Sequence, residues 1–230
     1  RADSPVVKPK PTDLPMDSAS RMAKAKVGGF GEDTFYHVTG GDIEGFDNSK
    51  IGQATDEGWF GRGHYFAPDP NYANQFMPTT GNANTVPVKL RAENQYDWRA
   101  NELDNNGRGM AIANDEMRQH KTDELINAGY SGVDVYDDVI KLGKNDKLDP
   151  KQWQTVVDYF EKKMGSFPNW LKKETVEDTL RKGAPRHTYV EQYGEEFAAN
   201  MPSERILKER MIFDPSNIRS VNAAFDPAKR

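Results

Sequence analysis

Residues 57–73 constrain the fold of this chain more than any other stretch, because they combine three glycines and two prolines with a run of aromatic residues. Glycine lets the backbone approach another group closely or take a positive φ. The pattern at 63–66 predicts a short strand whose alternate side chains lie on opposite faces. Asp69 is predicted to cap a helix that begins at Pro70. The stretch therefore predicts a glycine loop, an aromatic strand and the start of a helix.

The aromatic strand leaves two interpretations open. If Tyr65 lies on an open face of the strand, its ring is suited to stack on a flat ligand. The alternative, which this stretch alone favours, is that Tyr65 and Phe66 are simply rings of the hydrophobic core. Only residues elsewhere in the chain can decide between a ligand platform and a core ring.

Composition excludes several classes of site. The chain has 230 residues and is 36% hydrophobic, which is enough for a sizeable core in one domain with an insertion or in two small domains. It contains no cysteine, so disulfides, thiolate zinc sites and a cysteine nucleophile are excluded together. The net charge of −5 does not favour nucleic acid as a partner of the whole chain. No apolar run approaches membrane-spanning length, and no signal peptide is visible.

The chain is predicted to have three parts. Residues 1–15 are a stiff, proline-rich linker that we expect to tether the chain to an upstream region. Residues 16–137 and 203–230 carry short strands and glycine turns, which predict an α+β core built on a split antiparallel β-sheet. Residues 138–202 show helical periodicity and are predicted to form a helical insertion before the last strands.

Individual elements are predicted from β-branched content, apolar periodicity and capping residues. The predicted strands are 34–39, 63–66, 85–90, 132–136, 205–213 and 218–221. The predicted helices are 18–26, 70–76, 122–130, one from Pro150, one from Pro168 and 189–199. Pro87 favours an edge position or a bulge for its strand, because proline has no N–H to donate to a neighbouring strand.

Three predicted strands each carry one polar group suited to a shared site. His37 lies on the first, Tyr65 on the second and Glu209 near the end of the chain, so only folding can gather them. The surrounding motifs are Phe-Tyr-His-Val-Thr at 35–39, Gly-Arg-Gly-His-Tyr-Phe at 61–66, and a glutamate followed by an apolar run and Asp-Pro-Ser-Asn-Ile at 209–218.

These motifs resemble those of the histidine-tyrosine-glutamate class of ADP-ribosyltransferases, the class of diphtheria toxin and the poly(ADP-ribose) polymerases. The pattern looks most like the transferase domains of phage polyvalent proteins and bacterial polymorphic toxins. The resemblance covers residues 16–136 and 203–227 and leaves out the predicted insertion. It implies an ADP-ribosyltransferase-like core and an enzyme that uses NAD as its co-substrate and releases nicotinamide.

The resemblance implies a role for each matching residue. Glu209 would hydrogen-bond the 2′-OH of the ribose next to nicotinamide and stabilise the cationic sugar that forms as the bond breaks. His37 would hold the adenosine ribose, the backbone of Val38 would hold the nicotinamide carboxamide, and Thr39 would support the ribose side. Tyr65 would stack on the nicotinamide ring.

The resemblance implies two further residues that contact NAD. For two of the residues named above, a purely structural role is the alternative. Tyr72 would form the opposite wall of the nicotinamide slot, and Arg62 would bind the pyrophosphate. His37 has the alternative of a satisfied, half-buried histidine, and Glu209 that of a surface charge on an edge strand. His64 alternates with the neighbouring tyrosine along the strand and is predicted to be structural.

Two positions depart from the family pattern. Val38 stands where the family usually has glycine, and its Cβ narrows the slot expected for nicotinamide. Leu207 replaces the first glutamate of the Glu-x-Glu pair of arginine-modifying transferases, which disfavours arginine as the acceptor. The acceptor-side features that polymer-building transferases need are not found in this sequence, so mono-ADP-ribosylation of a macromolecule is predicted, with protein favoured over nucleic acid as the acceptor. His120 and His187 have no partner at metal-ligand spacing, so no metal site is predicted.

The predicted biological setting is that of a bacterial toxin, an effector or a phage-encoded domain. Its expected partners are NAD, a macromolecular acceptor and a cognate immunity protein, with no membrane. We expect it to act in the cytoplasm of a target or host cell, delivered as part of a larger protein. The alternatives are an NAD glycohydrolase with the same site, a non-catalytic module that binds NAD or a partner, and a phage or toxin structural segment whose resemblance is accidental.

Overall fold

The computed structural model describes residues 16–41, 43, 45–53, 58–78, 83–98, 112 and 115–223. The predicted linker at 1–15 lies outside these residues. The chain divides into two compact units. The first consists of Arg1–Tyr96, Ala111–Asp134 and Glu209–Arg230, and the second of Asp97–Met110 and Val135–Lys208. The predicted insertion at 138–202 falls inside the second unit.

The first unit is built from short helices and strands. Its helices are α1 (Ser18–Val27), α2 (Pro70–Ala73) and α3 (Asp115–Asn127). Its strands include β1 (Phe35–Thr39), β2 (His64–Phe66), β3 (Asn84–Leu90), β4 (Gln95–Asp97) and β8 (Ile218–Ser220). The last residue of β4, Asp97, belongs to the second unit. Two longer strands, β5 (Gly132–Ile140) and β7 (Ser203–Ile212), have one end in each unit. The helix predicted at 122–130 begins earlier, at Asp115.

The first sheet has the strand order β1-β3-β8. Since β3 is the central strand of this sheet, the prediction from Pro87 that its strand lies at an edge is wrong. Tyr36 lies opposite Pro87 and forms two hydrogen bonds with Ala67. The Tyr36 N–H donates to Ala67 O at 2.8 Å, and the Tyr36 carbonyl accepts from Ala67 N at 3.0 Å. The nitrogen of Pro87 therefore faces the β8 side, because alternate residues of an antiparallel strand bond to opposite neighbours. On that side the Pro87 carbonyl accepts from Val221 N at 3.1 Å, one residue beyond the end of β8, so the missing N–H of Pro87 falls beside the end of that strand.

The second sheet contains β2, β7, β5 and β4 in that order. β2 runs antiparallel to the end of β7, with Tyr65 opposite Met211. A bridge between Tyr36 and Ala67 joins β1 to the residue after β2. Met211 is fully buried, so the end of β7 forms part of the core. Helices combined with two antiparallel sheets confirm the predicted α+β fold.

The second unit is mainly helical. It contains α4 (Pro150–Met164), α5 (Lys173–Lys182), α6 (Arg186–Tyr193) and α7 (Glu195–Ala199), and the short strand β6 (Ala184–Pro185) pairs with the end of β5. The start of α4 was predicted, and the side chain of Asp149 caps it by accepting from Gln152 N at 2.7 Å. The core of the second unit is a cluster of buried apolar side chains that includes Ile140, Val156, Leu180 and Phe197.

Two helices of the second unit differ from the prediction. The helix expected from Pro168 begins at Lys173, because Pro168 starts a turn in which its carbonyl accepts from Leu171 N at 3.1 Å. The helix expected at 189–199 is two helices separated by Gly194, whose φ is +91°. A Cβ atom on Gly194 would lie 2.6 Å from Cδ2 of Tyr159, so the break occurs where an aromatic ring packs on the backbone.

Candidate active site

The glycine loop before β2 lies directly on the side chain of Met211. A Cβ atom on Gly63 would lie 2.5 Å from Cγ of Met211, and one on Gly61 would lie 3.0 Å from its Cε. Gly61 also has φ +135°, a conformation that favours glycine. These glycines are therefore required by close packing against β7, near Glu209 in the sequence.

Tyr65 is held by this loop through both its hydroxyl and its ring. The hydroxyl donates to Gly61 O at 2.8 Å and accepts from Phe60 N at 3.0 Å. Its ring lies against the backbone of Gly58, where a Cβ atom would come 2.5 Å from the Tyr65 hydroxyl oxygen. The side chain is half-buried. A ring fixed in this way is a rigid platform for stacking a flat ligand.

His37 lies on β1 with its ring among aromatic side chains. Nδ1 lies 2.9 Å from the carbonyl oxygen of Tyr65, and because a carbonyl only accepts, Nδ1 carries the proton and donates. The rings of Phe46 and Phe66 have centroids 5.1 and 5.5 Å from that of His37. Burial lowers the pKa of His37, although the bond to Tyr65 acts in the opposite direction. In the neutral ring Nε2 is an acceptor, which suits a ribose hydroxyl.

His64 occupies a different position from its neighbour Tyr65. It is buried, and its Nε2 donates to Oδ1 of Asn48 at 2.9 Å. Asn48 in turn donates through Nδ2 to Phe213 O at 3.2 Å, which ties the segment before the glycine loop to the end of β7. Burial, followed by repulsion from His37, lowers the pKa of His64 to about 4. The neutral ring of His64 therefore has a structural role, because it holds Asn48 in place.

Glu209 lies on β7, half-buried, and accepts a hydrogen bond from a residue far away in the sequence. The hydroxyl of Tyr72 donates to Oε1 of Glu209 at 2.9 Å. Tyr72 belongs to the one-turn helix α2, which Asp69 caps by accepting from Asn71 N at 2.8 Å. The helix start and its cap were predicted from the sequence, but the contact with Glu209 was not.

A buried ion pair fixes the strand beside Glu209. Arg210 donates from Nε and Nη2 to the two carboxylate oxygens of Asp134 at 2.6 and 2.7 Å. The guanidinium also lies 5.0 Å from the centre of the Phe35 ring. Because neighbouring residues of a strand point to opposite faces, this pair holds the face of β7 opposite to Glu209. Asp134 was not identified from the sequence, since a single aspartate in a strand gives no signal of its partner.

The backbone of Val38 is directed away from the centre of the first sheet. Val38 lies opposite Thr85, and its N–H and C=O point to the same side as those of Tyr36, which bond to the β2 side. This direction suits the predicted contact with a carboxamide. Thr39 is buried at the end of the same strand.

Arg62 is positioned through its backbone. Its N–H donates to Oγ1 of Thr122 at 2.7 Å, and the Thr122 hydroxyl donates to the Arg62 carbonyl at 3.3 Å. The predicted contact of the guanidinium with a pyrophosphate stays a prediction. Thr122 was placed at a helix start by the sequence, whereas it lies within α3 and anchors the glycine loop. A threonine in a polar helix gives no sign of such a role.

The contacts join the three motifs in the first unit. His37 bonds to the backbone of Tyr65, and Tyr65 lies opposite Met211 on β7. Glu209 precedes that buried residue and receives the bond from Tyr72. One aromatic platform, one neutral imidazole and one carboxylate therefore belong to connected strands. Such a set can stack a flat ring, hold sugar hydroxyls and stabilise a developing positive charge.

The part of the chain that the structure describes holds neither a metal-binding cluster nor a helix able to span a membrane. Among the described residues, no group of three or more His, Asp or Glu side chains is arranged to hold a metal ion. None of the helices described above combines the length and the apolar character that crossing a membrane requires.

Comparison with known proteins identifies the family. A family model described as ADP-ribosyltransferase in polyvalent proteins matches residues 33–224, a range that includes all three motifs and also the predicted insertion. No curated protein and no solved structure matches the chain. The family match confirms the resemblance that the three motifs predicted. The chain therefore belongs to the family of ADP-ribosyltransferases found in polyvalent proteins.

Proposed function

We propose that this chain is a mono-ADP-ribosyltransferase that cleaves NAD and transfers ADP-ribose to a macromolecular target, as part of a bacterial toxin, effector or phage-encoded protein. The observation that carries the proposal is the contact between the motifs: His37 bonds to Tyr65, and the strand of Tyr65 pairs with the strand of Glu209. The proposal assigns these three side chains to the binding and cleavage of NAD.

In the proposed reaction the bond between C1′ of the ribose and nicotinamide breaks, and nicotinamide leaves with the bonding electron pair. The sugar becomes an oxocarbenium-like cation, which the Glu209 carboxylate stabilises while it holds the 2′-OH. The acceptor then forms a bond to C1′ and gives up its proton to the surrounding water. The Tyr65 ring stacks on nicotinamide and Nε2 of His37 accepts from the adenosine ribose, so NAD is held in one geometry.

The remaining contacts complete the proposed NAD site. The backbone of Val38 holds the carboxamide, and Thr39 supports the ribose side. Arg62 binds the pyrophosphate, and Tyr72 lies beside the nicotinamide slot. No metal takes part in this proposal, and NAD is a co-substrate. We favour a protein acceptor over nucleic acid because the net charge of the chain is −5.

The test is incubation of the full chain with NAD labelled in its ADP-ribose part, together with a bacterial lysate. Glu209→Gln is the matched variant, because glutamine keeps the size of the side chain and removes its charge. We expect wild type to label a macromolecule and the variant to leave it unlabelled. Loss of the label after protease treatment, and its survival after nuclease treatment, would identify a protein acceptor.

Other outcomes would contradict the proposal at different points. Free ADP-ribose without any labelled macromolecule would identify an NAD glycohydrolase that uses the same site with water as acceptor. Intact NAD after long incubation at high protein concentration would favour a non-catalytic module. A failure to bind any NAD analogue would overturn the site itself. Equal labelling by wild type and Glu209→Gln would remove Glu209 from the reaction.

A further inference from the structure

The hydroxyl of Tyr72 donates to Oε1 of Glu209 at 2.9 Å, and both side chains are half-buried. We propose that Tyr72 is a positioning residue that orients the Glu209 carboxylate for NAD cleavage, in addition to lying beside the nicotinamide ring. This inference rests on the proposed function, because it assigns Glu209 to the reaction. It separates two parts of one side chain: the ring, which would touch the ligand, and the hydroxyl, which acts on Glu209.

The position of the Tyr72 hydroxyl is set by its surroundings. The helix α2 is closed by a hydrogen bond from Ala73 N to Asp69 O at 3.0 Å, and Ala73 is buried. The helix also contacts β1, the strand of His37. The Tyr72 ring packs edge-on against Phe76, with centroids 5.3 Å apart. The donor is therefore presented by a fixed ring at the end of a capped helical turn.

The strand of Glu209 is fixed, but a glutamate side chain has three rotatable bonds beyond its backbone. The ion pair between Arg210 and Asp134 and the pairing of Met211 with Tyr65 hold only the backbone of β7 at this point. A hydrogen bond to one carboxylate oxygen restricts the last of these rotations and thereby directs the other oxygen. Tyr72 donates such a bond to Glu209 from the helix α2, which is far from β7 in the sequence.

Orientation matters for this chemistry because the carboxylate must meet both the 2′-OH and the developing positive charge. Small displacements in an active site cost up to about a hundredfold in rate. A bond from a phenol to a carboxylate is charge-assisted, which suits it to this task. Removing the hydroxyl while keeping the ring should therefore lower kcat and leave NAD binding nearly unchanged.

The experiment measures kcat and KM for nicotinamide release in wild type, Tyr72→Phe, Glu209→Ala and the double variant. We expect Tyr72→Phe to lower kcat about tenfold, which corresponds to about 1.4 kcal/mol, and to change KM by no more than about twofold. In the Glu209→Ala background the same substitution should have no further effect, since no carboxylate is left to orient. The Kd of free nicotinamide should be the same in wild type and Tyr72→Phe.

Tyr159→Phe is the matched control, because its hydroxyl also donates to the protein, to Glu191 O at 3.1 Å, but lies in the second unit. We expect it to cleave NAD at the wild-type rate. Circular dichroism and thermal unfolding show whether each variant is folded, and Tyr72→Phe keeps the ring that packs on Phe76. If it were nevertheless unfolded, Glu209→Asp, which shortens the carboxylate arm away from Tyr72, should show the same loss of kcat at constant nicotinamide affinity.

The outcomes that overturn the inference differ from those that overturn the proposed function. A Tyr72→Phe variant with wild-type kcat and weaker nicotinamide binding would make Tyr72 only a wall of the slot. An equal loss in the presence and absence of the Glu209 carboxylate would show that Tyr72 does not act through it. In both cases wild type still cleaves NAD, and Glu209→Ala cleaves it at only a small residual rate. If wild type itself fails to cleave NAD, the proposed function and this inference are both wrong.

Discussion

Gly58 lies against the ring of Tyr65 so closely that a Cβ atom on Gly58 would come 2.5 Å from the Tyr65 hydroxyl oxygen and would overlap the ring carbons beside it. Gly58 also has φ +85°, where other residues are strained. The position of the proposed stacking platform therefore depends on a residue without a side chain.

Gly58→Ala should displace the Tyr65 ring and weaken NAD binding. The positive φ costs about 1–2 kcal/mol for a residue with a Cβ atom, and the overlap with the ring adds to it. We expect the Kd of NAD to rise at least about tenfold, which is about 1.4 kcal/mol. Isothermal titration of the Glu209→Gln background, in which NAD stays intact, measures this Kd directly.

The matched control is Gly129→Ala. Gly129 has φ +88°, but a Cβ atom there has no neighbour within 4 Å, so only the backbone strain is shared with Gly58→Ala. Its variant should lose stability without a change in NAD affinity. Equal affinities for the two variants would show that contact with Tyr65 is not what Gly58 provides.

Removing one partner of the ion pair between Arg210 and Asp134 should strongly destabilise the fold. Both side chains are largely removed from water, and the guanidinium would be left without its carboxylate. We expect Asp134→Ala to lower the free energy of unfolding by about 3–5 kcal/mol. Urea denaturation followed by circular dichroism measures this change.

An exposed ion pair provides the comparison for Asp134→Ala. Lys26 and Glu32 lie 3.2 Å apart with both side chains mostly in water. Glu32→Ala should therefore change the free energy of unfolding by no more than about 1 kcal/mol. Similar losses for Asp134→Ala and Glu32→Ala would contradict the structural role assigned to the buried pair.

The buried His64 should make the fold less stable as the pH falls. Its pKa is about 4 in the folded chain, against an ordinary value of 6.5. Between these values the unfolded chain binds a proton that the folded chain does not, so the contribution of His64 is complete above pH 6.5 and is lost as the pH falls towards 4. From pH 8 to pH 5 the expected loss is about 2 kcal/mol in the free energy of unfolding.

His64→Gln tests the origin of this pH dependence. Glutamine does not titrate, and its side-chain amide can still donate to Asn48 as His64 does. The variant should lose less stability than wild type between pH 8 and pH 5, as measured by urea denaturation. Part of the loss should remain, because burial also lowers the pKa of His37. An unchanged slope would show that His64 does not titrate as described.

Local signals in the sequence predicted the elements that carry the site. Asp69 followed by Pro70 predicted the start of α2, because capping and a fixed proline φ depend only on neighbouring residues. The β-branched and aromatic residues around His37 predicted β1. The predicted edge position of Pro87 was wrong because it depends on a contact with a distant part of the chain. Proline is tolerated in this central strand because β8 ends beside it.

The sequence by itself determined the α+β class, the order of the three motifs and the family to which they point, since these depend on local patterns and residue identity. Only the tertiary structure decided which groups meet. Three contacts join residues that lie far apart in the chain. They are the hydrogen bond from Tyr72 to Glu209, the ion pair between Asp134 and Arg210, and the packing of the glycine loop on Met211. Such contacts are selected by how strands pair and cores fill, and no short stretch of sequence carries that information.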